Sequence, residues 1–344
     1  MVRLCHSGLE AAVFQQRLLQ SLRRLLPVDA AFFATSDPDT LLFTGVYAEE
    51  PLGEATQLFL QNEYGTDDVN KFSTLATSVG HVASLDQATR GDRPASVRSH
   101  DIMEPLGLGD ELRAALLTGG QCWGYLCLHR TDHPLGFTDT EAALIARLGP
   151  HIAHSLRQSL LLNGSAAAGL PRAPGVVLLA DDLSVVAITE EAEHLLSLLD
   201  RDGSTALELP AAVHTVAAAL ASLEQGTAVA GALPSTRVRT TTGHWLRVHA
   251  SRLRGSAGEG RISVVVEPTE ARATTSLLLA AHGLTPREAA VANQVLRGAS
   301  TGLIADTLHI SRYTVQDHLK AVFDKVGVRS RRELVGRLLG AAPS

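Results

Sequence analysis

Apolar residues recur along the chain at two periods, and the switches between them mark out its elements. Over 11–26 they return at helical spacing (Phe14, Leu18, Leu22, Leu25), which predicts an amphipathic helix. Short β-rich runs follow at 30–34 and 41–46. The stretches 112–117 and 123–129 read as two strands joined across the Gly119-Gly120 turn. Thr138-Asp139-Thr140-Glu141 is a capping box that opens a long helix, with Pro150 expected to kink it. From Gly175 the pattern is strand, acidic turn (Asp181-Asp182) and strand, then a helix burying Ala192, Leu195, Leu196 and Leu199. A second helix over 211–223 and three antiparallel strands (237–239, 245–251, 261–267) complete that stretch. The run 269–281 predicts a connecting helix.

The last sixty or so residues carry the tightest pattern. Thr285-Pro286-Arg287-Glu288 joins an N-cap hydroxyl, a proline at the first helical position and a glutamate that closes a capping box. Ser300 opens a short helix with Leu303, Ile304 and Leu308 expected inward, and His309-Ile310-Ser311 is a tight connection. The helix after Ser311 ends at Gly327, the residue that turns left-handed without steric cost. Its apolar stripe is Val315, Leu319, Val322, Phe323 and Val326; the opposite stripe is Tyr313, Gln316, Asp317, Lys320 and Asp324. Ser330-Arg331-Arg332-Glu333 repeats the capping box before a final helix. Two short helices joined by a three-residue turn describe a helix-turn-helix, whose second helix can lie in a major groove. The polar stripe carries amide, phenol, carboxylate and ammonium groups able to meet base edges.

These residues resemble the LuxR/GerE-type helix-turn-helix. The likeness is carried by the Leu284-Thr285-Pro286-Arg287-Glu288 opening, Ile304-Ala305, Leu308-x-Ile310-Ser311, Thr314-Val315-x-x-His318, Phe323-x-Lys325 and Gly327-Val328-Arg329-Ser330-Arg331 before Glu333-Leu334. The resemblance implies an all-α four-helix module that binds double-stranded DNA as a homodimer. Thr314, Gln316, Asp317 and Lys320 then face DNA, and Lys325, Arg329 and Arg331 lie near phosphates. The wider implied contact set adds Thr285, Arg287, Ser300, Ser311, Arg312, Tyr313 and His318. Leu334, Val335, Leu338 and Leu339 of the last helix are the implied dimer contacts, with packing inside the bundle as the competing explanation. Two departures stand out: Ala290 where the family usually has a second glutamate, and the acid Asp317 on the reading face. A carboxylate there can accept from a cytosine amino group or discriminate against unwanted sites.

The first part of the chain resembles the GAF domains that precede LuxR-type ends, through Asp67-Asp68-Val69-Asn70-Lys71-Phe72, Gly107-Leu108-Gly109-Asp110-Glu111 and Trp123-Gly124. The middle part is similar in element order to a PAS domain. The expected architecture is therefore multidomain: an α+β GAF-like sensor domain (1–162), a Gly/Pro-rich linker (163–174), a smaller α+β PAS-like domain (175–268), a connector helix (269–281) and the LuxR-type module (282–344). The function it implies is a sequence-specific transcriptional regulator gated by the upstream region. The alternative is a ligand-controlled interaction module whose helix-turn-helix docks on protein, such as RNA polymerase or an inhibitor.

Composition changes this picture in only a few places. A chain of 344 residues exceeds one compact core. No apolar run reaches membrane-spanning length, no signal-peptide core opens the sequence, and three cysteines build no disulfide framework. A cytoplasmic protein with no membrane partner is expected. The net charge of −6 argues at first against nucleic acid, but 284–339 holds nine Arg/Lys against five Asp/Glu, a basic end on an acidic body. The three lysines (Lys71, Lys320, Lys325) leave no Walker loop, and no lysine accompanies Asp181-Asp182 to make a phosphoacceptor site. His151 and His154 share a helix face without adjacent ligands, and Cys122 and Cys127, five apart on a strand, are expected on opposite faces. No catalytic constellation, cofactor or metal is expected, and an unidentified small ligand in the GAF-like pocket stays open. With only Trp123 and Trp245, the chain lacks the Trp/Tyr cluster of acyl-homoserine-lactone sensors.

Overall fold

A computed structural model of the chain describes residues 1–131, 136–162, 173–199, 208–226, 233–254, 260–270 and 272–339. It divides into two compact units, Met1–Pro268 and Thr269–Ser344. In the first, α1 (Val2–Cys5) and α2 (Ala11–Leu22) precede β1 (Ala30–Ser36) and β2 (Phe43–Ala48). Then come α3 (Thr56–Gly65), α4 (Phe72–Thr77), β3 (Val82–Ser84) and α5 (Leu85–Ala88). Short 3-10 and π turns over 93–106 lead into β4 (Asp110–Thr118), β5 (Gln121–Arg130) and the long α6 (Asp139–Ser159). The rest of this unit is β6 (Gly175–Leu179), β7 (Val185–Ile188), α7 (Glu190–Ser197), α8 (Ala211–Gln225), β8 (Ser235–Arg239), β9 (Trp245–Arg254) and β10 (Gly260–Pro268). The second unit holds α9 (Thr275–Ala281), α10 (Pro286–Leu296), α11 (Thr301–Leu308), α12 (Arg312–Val326) and α13 (Arg331–Leu339).

The strands of the first unit make two antiparallel five-stranded sheets, ordered β2-β1-β5-β4-β3 and β7-β6-β10-β9-β8. Numbered within its own sheet, each follows the order 2-1-5-4-3, so the same topology occurs twice. One face of the first sheet carries an aromatic core of Phe32, Phe43, Phe72 and Tyr125. Its other face is covered by α2 and α6. There a Cβ at Gly124 would stand 2.5 Å from the Ala34 carbonyl oxygen and 2.6 Å from a Leu156 methyl, which explains the glycine. The capping box of α6 forms as expected, with Pro150 inside the helix.

The two sheets are joined within this unit. Leu42 enters the apolar core of the second sheet, and Ala211 of α8 enters that of the first. Asp37, almost fully buried, receives two side-chain hydrogen bonds from Arg237 (Nε–Oδ2 2.8 Å, Nη2–Oδ1 2.6 Å). The expected linker falls largely on 163–172, outside the described residues. The structured parts on either side of it cluster as one unit.

Several local expectations change. Leu25 lies beyond the end of α2 and is 58% exposed, because the helix stops at Leu22 and the chain turns toward β1. Leu303 is likewise 55% exposed, since only Ile304 and Ala305 of α11 are buried. The connecting helix shortens to Thr275–Ala281. Cys122 and Cys127 do not face opposite ways. Leu116 pairs with Gly124 and Leu117 with Cys122, so Trp123 is an extra residue in β5 that reverses the alternation. Both cysteines therefore enter the same aromatic core.

Candidate functional site

The second unit is built around α12, whose ends the sequence defines. The Ser311 hydroxyl accepts from the Thr314 N–H at 3.0 Å, and Gly327 closes the helix at φ +74°. Val315, Leu319, Val322 and Val326 are buried with Val291, Val295, Ile304, Leu334 and Leu338 in one core, supplied by α10, α11 and α13 as well as α12. With that side clamped, Tyr313 (77% exposed), Gln316, Asp317, Lys320 and Asp324 form an exposed ridge.

The remaining residues implied for DNA sit in three settings. Thr285, Ser300 and Ser311 cap helices, each hydroxyl accepting from the backbone N–H three residues on. Gln316 reaches the Thr301 hydroxyl at 3.4 Å, so the ridge is braced against the start of α11. Arg287 and Arg329 are exposed, the Arg312 guanidinium lies beside Gly302, and Thr314 and His318 are half-buried. Lys325 and Arg331 are instead committed inside the unit. The Lys325 ammonium holds Glu288 at 2.6 Å; burial pushes that carboxyl up, but the ammonium and the Thr285 N–H outweigh it and leave it below the usual range. Arg331 donates to the Ala299 carbonyl (2.8 Å) and the Thr301 hydroxyl (2.9 Å), tying α13 to the start of α11. Of the four residues implied for dimer contacts, Leu334 and Leu338 are buried in the unit's own core, leaving Val335 and Leu339 partly exposed. That is the packing explanation for half of the set.

The first sheet holds a second site. Glu63, Arg98, Glu111 and Arg113 are buried there, with the Asp68 carboxylate almost fully covered. Arg98 donates through Nε to Glu111 Oε1 (2.7 Å) and through Nη2 to the same oxygen, and its Nη1 reaches Asn62. Arg113 bonds Glu63 Oε2 (2.7 Å) and Glu111, and lies 4.4 Å from the centre of the Phe72 ring. Burial alone raises a carboxyl, but Arg113 and Arg98 hold Glu111 far below the usual range. The Lys71 ammonium donates to the Asn62 and Glu63 carbonyls, and its burial lowers it to about 8. Asp68, Lys71 and Glu111 belong to the stretches singled out above. Glu63, Arg98 and Arg113 were missed, although two charges at i, i+2 in an apolar strand (Glu111, Arg113) signal a buried pair.

Beside this network a pocket is lined by Phe32, Phe43, Leu52, Phe59, Leu60, Glu63, Phe72, Arg113, Cys127 and His129. Its free volume is only about 10 Å³. That is the room of roughly one water. A larger ligand enters only if the phenyl rings move. Elsewhere, His151 and His154 acquire a neighbour that their helix spacing does not reveal: the His6 ring, 5.7 Å and 4.7 Å from theirs between centroids. Asp181 pairs with Arg252, and Asp182 accepts from Ser184, which makes the acidic pair a turn. Among the described residues no helix is long and apolar enough to cross a membrane.

The family of bacterial regulatory proteins described as luxR (GerE) matches residues 282–338, and the GAF domain matches residues 12–156. No curated protein matches the chain. Among solved structures, SdiA of Escherichia coli is similar at 12% identity over 96% of this chain and 92% of its own, with a TM-score of 0.33. The VqsR LBD domain of Pseudomonas aeruginosa matches at 16% identity over 47% of this chain and 94% of its own, TM-score 0.32. A VqmA–ligand–DNA complex from Vibrio cholera matches at 20% identity over 50% and 83%, TM-score 0.23. The two family matches fall on the helical unit built around α12 and on the first sheet with its helices. Residues 282–338 therefore form a luxR-type helix-turn-helix module, and residues 12–156 a GAF domain ahead of it.

Proposed function

We propose that the protein is a sequence-specific DNA-binding transcriptional regulator, working as a homodimer in the bacterial cytoplasm, whose GAF region gates the helix-turn-helix. The observation that carries this reading is α12: Val315, Leu319, Val322 and Val326 are buried along one side, while Tyr313, Gln316, Asp317 and Lys320 stand exposed along the other. Gln316 reads a base edge, Lys320 attracts phosphates, and Asp317 discriminates among sites. The second sheet, with the strand order of the first, supports reading 175–268 as a PAS-like partner of the GAF domain. RNA polymerase is a further partner of such a regulator. No catalytic group enters this reading.

The test is a binding titration of the full chain against a duplex selected from random sequence, repeated across salt. Gln316→Ala is expected to cost about 1–3 kcal/mol at one base position. Lys320→Ala is expected to weaken all sequences alike and to reduce the log–log salt slope by about one. Binding that ignores both changes refutes the docking of α12. The observation favouring the protein-docking alternative is that Lys325 and Arg331 are spent inside the unit. Under that alternative no duplex is selected and no steep salt dependence is seen.

A further inference from the structure

The aromatic pocket ends on three side chains whose donor atoms converge. Glu111 and His129 are directly opposite in the β4–β5 register, and Cys127 is two residues before His129, so all three project from one face of the sheet. Cys127 Sγ is 3.3 Å from Glu111 Oε2 and 3.1 Å from His129 Nε2, and the three donor atoms lie within 4.8 Å of one another. All three residues are buried, and Cys127 and His129 also line the pocket. We propose that Glu111, Cys127 and His129 hold one divalent transition-metal ion, of the borderline class of Zn²⁺ or Fe²⁺, with a fourth position opening on the pocket.

Thiolate, imidazole and carboxylate are the donors such ions take, and three protein ligands with one open position is the pattern of a reactive rather than a closed site. The two spacings at the sulfur are close to what a tetrahedral ion needs, and the carboxylate and imidazole donors lie within 4.8 Å of each other. Bond lengths of about 2.3 Å to sulfur and 2.0–2.1 Å to nitrogen place those atoms about 3.6 Å apart. The observed 3.1 Å and 3.3 Å require the side chains to spread by only a few tenths of an ångström. The room left in the pocket, roughly one water, matches a single solvent ligand.

The His129 ring is 1% exposed and presents Nε2, the nitrogen beside Cys127, to the ion. Its Nδ1, which the ion does not reach, has no hydrogen-bond partner among the described residues. Against the cation stand Arg98 and Arg113, both on Glu111. Both Arg98 contacts fall on Oε1, however, leaving Oε2 with the thiol and a 3.3 Å bond from Arg113. Glu63 and Asp68 also offset the guanidiniums. Binding exchanges the Cys127 proton for the ion, a net gain of one positive charge in the cluster. The proposal does not depend on what α12 binds.

The experiment uses the full chain, stripped with a chelator and titrated with Co²⁺ as a spectroscopic probe. One equivalent is expected to give a near-ultraviolet thiolate-to-cobalt charge-transfer band together with the visible bands of four-coordination. Cys5→Ser/Cys122→Ser, which leaves Cys127 as the lone thiol, is expected to keep both. Cys127→Ser is expected to lose the charge-transfer band, and His129→Gln to weaken binding more than tenfold. No band at one equivalent in the wild type, or a band that the Cys5→Ser/Cys122→Ser variant loses, overturns the site. That variant leaves all three proposed ligands in place, so it decides the matter even if Cys127→Ser fails to fold.

Discussion

Arg113→Met is the sharpest test of the buried charge network. Methionine keeps most of the aliphatic volume and removes the guanidinium, which is almost fully buried between Glu63 and Glu111 and lies over the Phe72 ring. Breaking a buried ion pair costs about 3–5 kcal/mol, because the remaining charge is stranded in the interior. Here the stranded carboxylates keep other donors: Glu63 accepts from the Phe72 N–H at 2.8 Å, and Glu111 keeps Arg98 and the Cys127 thiol. The expected loss therefore lies toward the lower end, about 3 kcal/mol. Adding Glu63→Gln removes the stranded charge, so the double variant should recover about 1–2 kcal/mol of that loss. The assay is urea unfolding followed by tryptophan fluorescence, since Trp123 and Trp245 both lie in the first unit. A loss below about 1 kcal/mol, in the range of an exposed pair, would mean that water reaches the network and that the pocket is not sealed. Single losses that simply add in the double variant would refute the coupling.

His214 sets an acid limit on the same unit. It is buried on α8 with neither ring nitrogen bonded among the described residues, and burial lowers it to about 4. Because the unfolded imidazole binds a proton first, the stability due to the neutral ring is whole above about pH 6.5 and is lost as pH falls toward 4. The loss is about 3 kcal/mol, and His214→Leu should flatten that part of the pH profile in calorimetry. In the second unit, Leu338→Ala should destabilise the fold by about 2–5 kcal/mol through a cavity, measured by thermal unfolding. Val335→Glu should instead leave the fold intact and lower the oligomeric state in sedimentation at rising concentration. If it leaves the sedimentation profile unchanged, α13 is not the dimer contact. Lys325→Ala should cost stability, through the released Glu288 carboxylate, more than it costs DNA affinity. The reverse ranking would restore Lys325 as a phosphate contact.

The C-terminal module was legible because its signals are local. A cap, a proline and a glutamate within four residues define the start of α10, and Ser311 and Gly327 bracket α12, whatever packs around them. The strand pair around Gly119-Gly120 was legible for the same reason. Single side-chain directions near element ends were not. Leu25 and Leu303 satisfy the helical period but fall where nothing covers them, and periodicity says which residues share a face, not whether that face is buried. The parity of Cys122 and Cys127 failed at one inserted residue, because a bulge is a property of pairing with β4 and leaves no mark in β5 itself.

What the sequence by itself determined is the helix-turn-helix, the α+β order of elements and the exposed ridge of α12, since each follows from backbone preferences and periodicity within a short window. Only the tertiary structure decided the rest. It brought Glu63, Asp68, Arg98, Glu111 and Arg113 into one buried network, set Cys127 and His129 against Glu111, and tied Lys325 and Arg331 to partners within their own unit. A charged side chain has the same local preferences whether it meets water, a phosphate or a buried carboxylate. Its partner is chosen by which distant strands and helices pack beside it.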